Sequence, residues 1–156
     1  MLFCDNEYLK IKCDLPISMM EKITRARSSL PSMSKEEIKD IQKKPFICTY
    51  NVNFVITDKR TDEEYRIFIP KSYSWDGATL PFGFRWMFGG KGNPKFLIAS
   101  CVHDKLCECK WLVDNDRYLS SVIFRELLKA CNCSNIKAQT MFLAVDNFQR
   151  FCGWEK

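Results

Sequence analysis

The stretch Pro94 to Glu108, PKFLIASCVHDKLCE, restricts what this chain can fold into more than any other. At about 100° per residue, Phe96, Leu97, Ile98, Ala99, Cys101, Val102 and Leu106 occupy most of the circumference of a helix. Such a helix must be covered by other elements on nearly every side, so it is expected to be the central one. Asn93 and Pro94 supply its N-cap and first-turn proline. It carries the only histidine of the chain, with an aspartate directly after it. His103 falls on the strip with Phe96, Ala99, Ser100 and Cys107, while Asp104 points roughly 100° away, beside Leu97 and near Ser100 and Glu108. An unsatisfied polar group in such surroundings costs roughly 1–3 kcal/mol. The His-Asp pair is therefore either a satisfied structural node or the wall of a site.

The elements that must cover this helix follow from periodicity and punctuation. Residues 46–70 alternate as FICTYNVNFVITD and EYRIFIP around the polar turn DKRTDE, which predicts a β-hairpin. Residues 71–93 form a connector rich in glycine, proline and aromatic side chains, longer than most loops of a compact domain. Three helices follow, at about 94–108, 116–130 and 135–151. Asp114 or Asp116 caps the second and Ser134 the third, with Gly153 closing the last. Residues 1–45 read as an N-terminal arm. Within it EYLKIKCDLP can form a short strand, and Ser34 with Glu37 makes a capping box ahead of a short charged helix. The expected architecture is α+β: a small antiparallel sheet built on the 46–70 hairpin, packed against a three-helix bundle in one domain, 46–156, with the arm over it.

At 156 residues the chain can bury one core. No apolar run approaches the ~18 residues needed to span a bilayer. The net charge of +5 is spread without a block of like charges, and the i, i+4 stripe Arg117, Ser121, Arg125, Lys129 reads as a solvated face. Nucleic-acid binding is not expected. Nine cysteines, an odd number, without an export-type opening segment point to reduced thiols.

The cysteines also raise a metal reading. Cys101, His103, Cys107 and Cys109 form a Cys-x-His-x3-Cys-x-Cys string, and Cys131 and Cys133 add a second Cys-x-Cys. Inside a helix Cys101 and His103 lie roughly 200° apart. The set able to hold zinc is then Cys107, Cys109, Cys131 and Cys133, although structural zinc usually draws on Cys-x2-Cys knuckles in loops. No cofactor is expected, zinc at this set being the exception to test. A phosphohydrolase of the His…His-Asp…Asp type needs several imidazoles, and this chain has one.

Three blocks together resemble a known pattern: IPKSYSWDGATLP, ASCVHDKLC and MFLAVDNFQRFCGW. They are similar to the Asp-Gly-Ala-Ser/Thr-Ile/Leu-Pro segment, the His-Asp-x-Leu segment and the closing aromatic-Gly helix of a small domain family of unknown function common in tailed phages and prophages. The resemblance covers about residues 46–154. It implies that Asp76, His103 and Asp104 converge on a polar site with Arg117, while Ser121 stands where the family has an aspartate.

Two functions follow from that resemblance. The first is a phage-borne hydrolase acting on cell-wall or host material, with His103 as acid–base group, Asp76 or Asp104 orienting it, and the aromatic connector as lid. No nucleophile stands out; Thr79, Cys107 and Ser121 qualify by type only. The second is a non-catalytic viral protein, a virion or tail component or a binder of a host factor, in which the His-Asp pair is structural and the connector 73–88 contacts a viral or host partner. The expected location is the host cytoplasm or the virion. The shared-site reading requires Asp76 within hydrogen-bonding reach of His103 or Asp104, directly or through one water, with Trp75 packed nearby. Asp76 in its Asp-Gly step could equally be a turn residue.

Overall fold

The structure is a computed structural model. It describes residues 2–14, 24–26, 36, 46–48, 50–75 and 94–154. The fold is α+β, as the sequence predicts: antiparallel sheet and three helices share one buried apolar cluster.

The main sheet has four antiparallel strands in the order β1, β2, β5, β6, where β1 is Leu2–Asp5, β2 Leu9–Cys13, β5 Val52–Asp58 and β6 Glu63–Ile69. Its inner face is a period-two pattern carried across the register. Ile11 faces Ile56, which faces Tyr65; Cys13 faces Phe54, which faces Ile67. All six are buried, and register is strongly specified because a one-residue slip would turn this set to solvent. The β5–β6 turn is built by Asp58, whose carboxylate accepts from the Arg60 amide and guanidinium at 3.0 Å. Asp62 takes the left-handed conformation that closes the turn (φ 60°).

A second, three-stranded sheet has the order β3 (Thr24–Ala26), β4 (Phe46–Cys48), β7 (Ser74–Trp75). Two expectations are corrected here. The first strand of the predicted hairpin does not run unbroken from residue 46. The hairpin is Val52–Ile69, and Phe46–Cys48 departs to pair with Ser74–Trp75, the Cys48 amide donating to the Tyr73 carbonyl (2.8 Å) and the Ser72 amide to the Cys48 carbonyl (2.8 Å). Nor do residues 1–45 simply overlie the sheet, since β1 and β2 are half of it. The strand expected in EYLKIKCDLP is β2. The charged helix after Ser34 lies, apart from residue 36, outside the described residues.

The helices fall where their caps predict. Helix α1 is Pro94–Glu108, α2 Arg117–Ala130 and α3 Asn135–Phe148. Asp116 caps α2 by accepting from the Leu119 amide (2.9 Å), and Ser134 caps α3 by accepting from the Lys137 amide (3.3 Å). Every residue from Phe96 to Val102 is buried, as expected of the central helix; each large apolar side chain there contributes roughly 1.5–3 kcal/mol. A 3-10 turn, Lys110–Val113, joins α1 to α2, and Asp114 and Asn115 follow it in the left-handed region (φ 52° and 62°). After Phe148 the chain continues not as α-helix to residue 151 but as one π turn, Gln149–Gly153, closed by the Trp154 amide on the Gln149 carbonyl (3.0 Å).

Candidate functional site

The polar site lies where the three helices meet. From α1 come His103 and Cys107, one turn apart; from α2, Arg117, Ser121 and Phe124; from the end of α3 and its π turn, Asp146 and Gln149. The inner stripe of α3 explains the last two: Ala138, Met141, Phe142, Val145, Asp146 and Gln149 recur at helical spacing and all are buried.

Gln149 is the hub. Its Nε2 lies 3.1 Å from His103 Nε2 and donates to Cys107 Sγ at 3.0 Å. Its Oε1 accepts from the Ser121 hydroxyl at 3.2 Å, a hydroxyl also 3.3 Å from the Arg117 carbonyl. With the amide so oriented, His103 Nε2 is the acceptor and the imidazole proton sits on Nδ1. The ring packs against Phe124, centroids 5.1 Å apart. Burial holds the imidazole pKa down at about 4, against the smaller opposing effect of the Gln149 hydrogen bond. Cys107 moves the other way. Burial first, then the Asp104 charge, push its thiol up to about 12.

Arg117 is turned toward the same corner. Its Nη1 forms an ion pair with the Asp146 carboxylate and donates to the Asp146 carbonyl (3.2 Å). The pair places a positive charge against the carbonyl end of α3, where a lone carboxylate would be opposed by the helix dipole. Burial is the main cause that raises the pKa of the Cys101 thiol and the Tyr73 hydroxyl as well, and the charge of Asp104, half-buried on α1, adds to it as a smaller effect.

Of the residues expected to converge, His103 reaches Gln149 and Ser121 joins it there, whereas the Arg117 guanidinium goes to Asp146 and Arg117 touches this group only through its backbone carbonyl, which faces the Ser121 hydroxyl. Asp76 lies outside the described residues, as does the connector from residue 76 to 93. The residue before it does not. Trp75 is fully buried, and its indole Nε1 donates to Ser100 Oγ at 3.2 Å, one turn of α1 before His103. Sequence reasoning missed Asp146 and Gln149 as site members. The signal was present: both are polar residues at apolar positions of the α3 repeat. Among the described residues, no group of three or more His, Cys, Asp or Glu side chains is placed to hold a metal ion. The basic stripe of α2 is not a solvated face either. Arg125 lies over the Phe142 ring (4.8 Å) and binds the buried Glu126 carboxylate (2.9 Å), which Lys129 also reaches (3.3 Å).

Residues 51–145 match the family model described as Protein of unknown function (DUF1353). The chain belongs to this DUF1353 family. The match takes in β5, β6 and all of α1 and α2, and ends within α3 at Val145, just short of Asp146 and Gln149. No curated protein and no solved structure matches significantly. Among the described residues, no helix is long and apolar enough to cross a membrane.

Proposed function

We propose that this DUF1353 chain is a phage-associated protein without catalytic activity, a virion component or a binder of a host factor, in which His103 ties the central helix to the C-terminal turn. The observation that carries this reading is the Gln149 amide on His103 Nε2 (3.1 Å). It occupies the lone pair that a general base would use. A Cys-His nucleophile pair needs a lowered thiol and a raised imidazole; Cys107 and His103 are moved in the opposite directions, so both are neutral at pH 7. The phage association rests on the resemblance of the Trp75–Pro81 and His103–Leu106 motifs.

A hydrolase acting on cell-wall or host material is the second reading, favoured by the Trp75 anchor, which holds the residue before Asp76 on Ser100, one turn of α1 before His103. The two separate on His103→Gln. The structural reading expects a clear fall in melting temperature and no loss of any cell-wall-degrading activity; abolished activity with an unchanged melting curve would overturn it. Mass spectrometry of purified phage particles then distinguishes a packaged component, present in stoichiometric amount, from a protein confined to the infected cell.

A further inference from the structure

The inner stripe of α3 is accounted for by the core and the site, but its outer face is not. Ile136 is 80% exposed, Leu143 50%, Phe148 49% and Phe151 78%. Ile136, Thr140, Leu143, Asn147 and Phe151 are spaced by four, three, four and four residues. The first four keep the 3.5-residue repeat of a seam that packs against another helix. A regular repeat would next reach residue 150, an arginine. The π turn that begins at Gln149 winds more slowly than an α-helix, and so brings Phe151 onto the seam instead.

We propose that this face is a self-association surface on which a second copy of the chain packs antiparallel, about a twofold axis near Leu143. The pattern is its own complement. Reversed and laid on itself, the seam sets Ile136 against Phe151 of the other copy, Thr140 against Asn147, where a hydroxyl meets an amide, and Leu143 against its own counterpart, as an isologous contact requires. No seam residue is charged, so two copies of a chain with net charge +5 meet where repulsion is least. The area suffices: the three large apolar side chains of the seam, with exposed Asn147 and partly exposed Thr140 between them, present roughly 500 Å² per copy, and about 1,000 Å² in the pair is the lower bound for a specific interface.

Analytical ultracentrifugation of the full chain from 10 to 500 μM tests this. A reversible monomer–dimer equilibrium is expected, and Leu143→Glu should weaken it by at least tenfold without changing the circular dichroism or melting temperature of dilute protein, because that side chain is half exposed. The antiparallel arrangement makes a sharper demand. Ile136→Lys and Phe151→Glu should each weaken the dimer, and the double variant should restore it, since the two positions meet only across the axis. A monomer at every concentration, a Leu143→Glu chain that dimerises as tightly, or a double variant no better than either single one would overturn the proposal.

Discussion

At the scale of single residues, the imidazole of His103 is a proton-sensitive element of the fold. Its folded-state pKa of about 4 lies below the ordinary value of 6.5, so the unfolded chain takes up a proton where the folded chain does not. The neutral imidazole is therefore compatible with full stability above about pH 6.5, and stability falls as pH drops from there toward 4, by up to ~1.4 kcal/mol per pH unit. As the chain has a single histidine, His103→Gln should flatten the pH 5 to 6.5 part of the stability curve measured by urea denaturation, the carboxylates contributing chiefly lower. Equal slopes in the two proteins would remove His103 from the account. Gln149→Glu probes the same contact from its other side. A carboxylate in place of the amide favours the imidazolium, and such a partner within hydrogen-bonding distance moves a pKa by about 1–3 units. The ring-proton resonance of the lone histidine should titrate at least one unit higher in this variant, and an unmoved midpoint would mean that Gln149 does not face the ring.

At the scale of elements, the buried Glu126 carboxylate holds α2 to the turn between β1 and β2. It accepts from Asn6 Nδ2 (2.7 Å), Arg125 and Lys129, while Asn6 Oδ1 accepts from the Leu9 amide that opens β2 (3.0 Å). Removing one member of a buried charged cluster costs roughly 3–5 kcal/mol when it strands the others. Both cations here reach solvent in part, so Glu126→Ala should cost less, about 2–3 kcal/mol by chemical denaturation, and a cost below ~1 kcal/mol would show the cluster to be ornamental. The N-cap is a smaller test of the same helix: Asp116→Ala should cost ~1 kcal/mol. Asp116, Ser134 and the apolar circumference of α1 were legible in the sequence because caps and helical periodicity act locally. The division of the strands was not. Phe46, Cys48, Val52, Phe54, Ile56 and Asp58 are buried with one parity throughout, so alternation gives no sign that Phe46–Cys48 leaves for another sheet; that is decided by distant pairing with Ser74–Trp75. The site divides similarly. His103 and Arg117 stood out by type and resemblance, whereas Gln149, a neutral residue near the chain's end, acquires its role only when three helices converge.

At the scale of the whole molecule, the order β1, β2, β5, β6 makes the first 14 residues a structural part of the domain rather than an appendage, although the family match begins only at residue 51. Strand β2 pairs along β5 from Leu9–Asp58 to Cys13–Phe54, and its Leu9, Ile11 and Cys13 are all but inaccessible. A chain beginning at residue 46 would lose this cover from β5, expose a flat apolar edge open to intermolecular pairing, and deprive Glu126 of Asn6. Three buried apolar side chains at roughly 1.5–3 kcal/mol each amount to about 4.5–9 kcal/mol, comparable with the roughly 5–15 kcal/mol by which a domain is ordinarily stable. The truncated chain should therefore be unfolded or aggregated, seen as loss of the cooperative melt and elution in the void volume on gel filtration. A soluble chain 46–156 melting within about 5 °C of the full chain, a difference of roughly 2 kcal/mol at this size, would show that the N-terminal hairpin is only laid on the sheet.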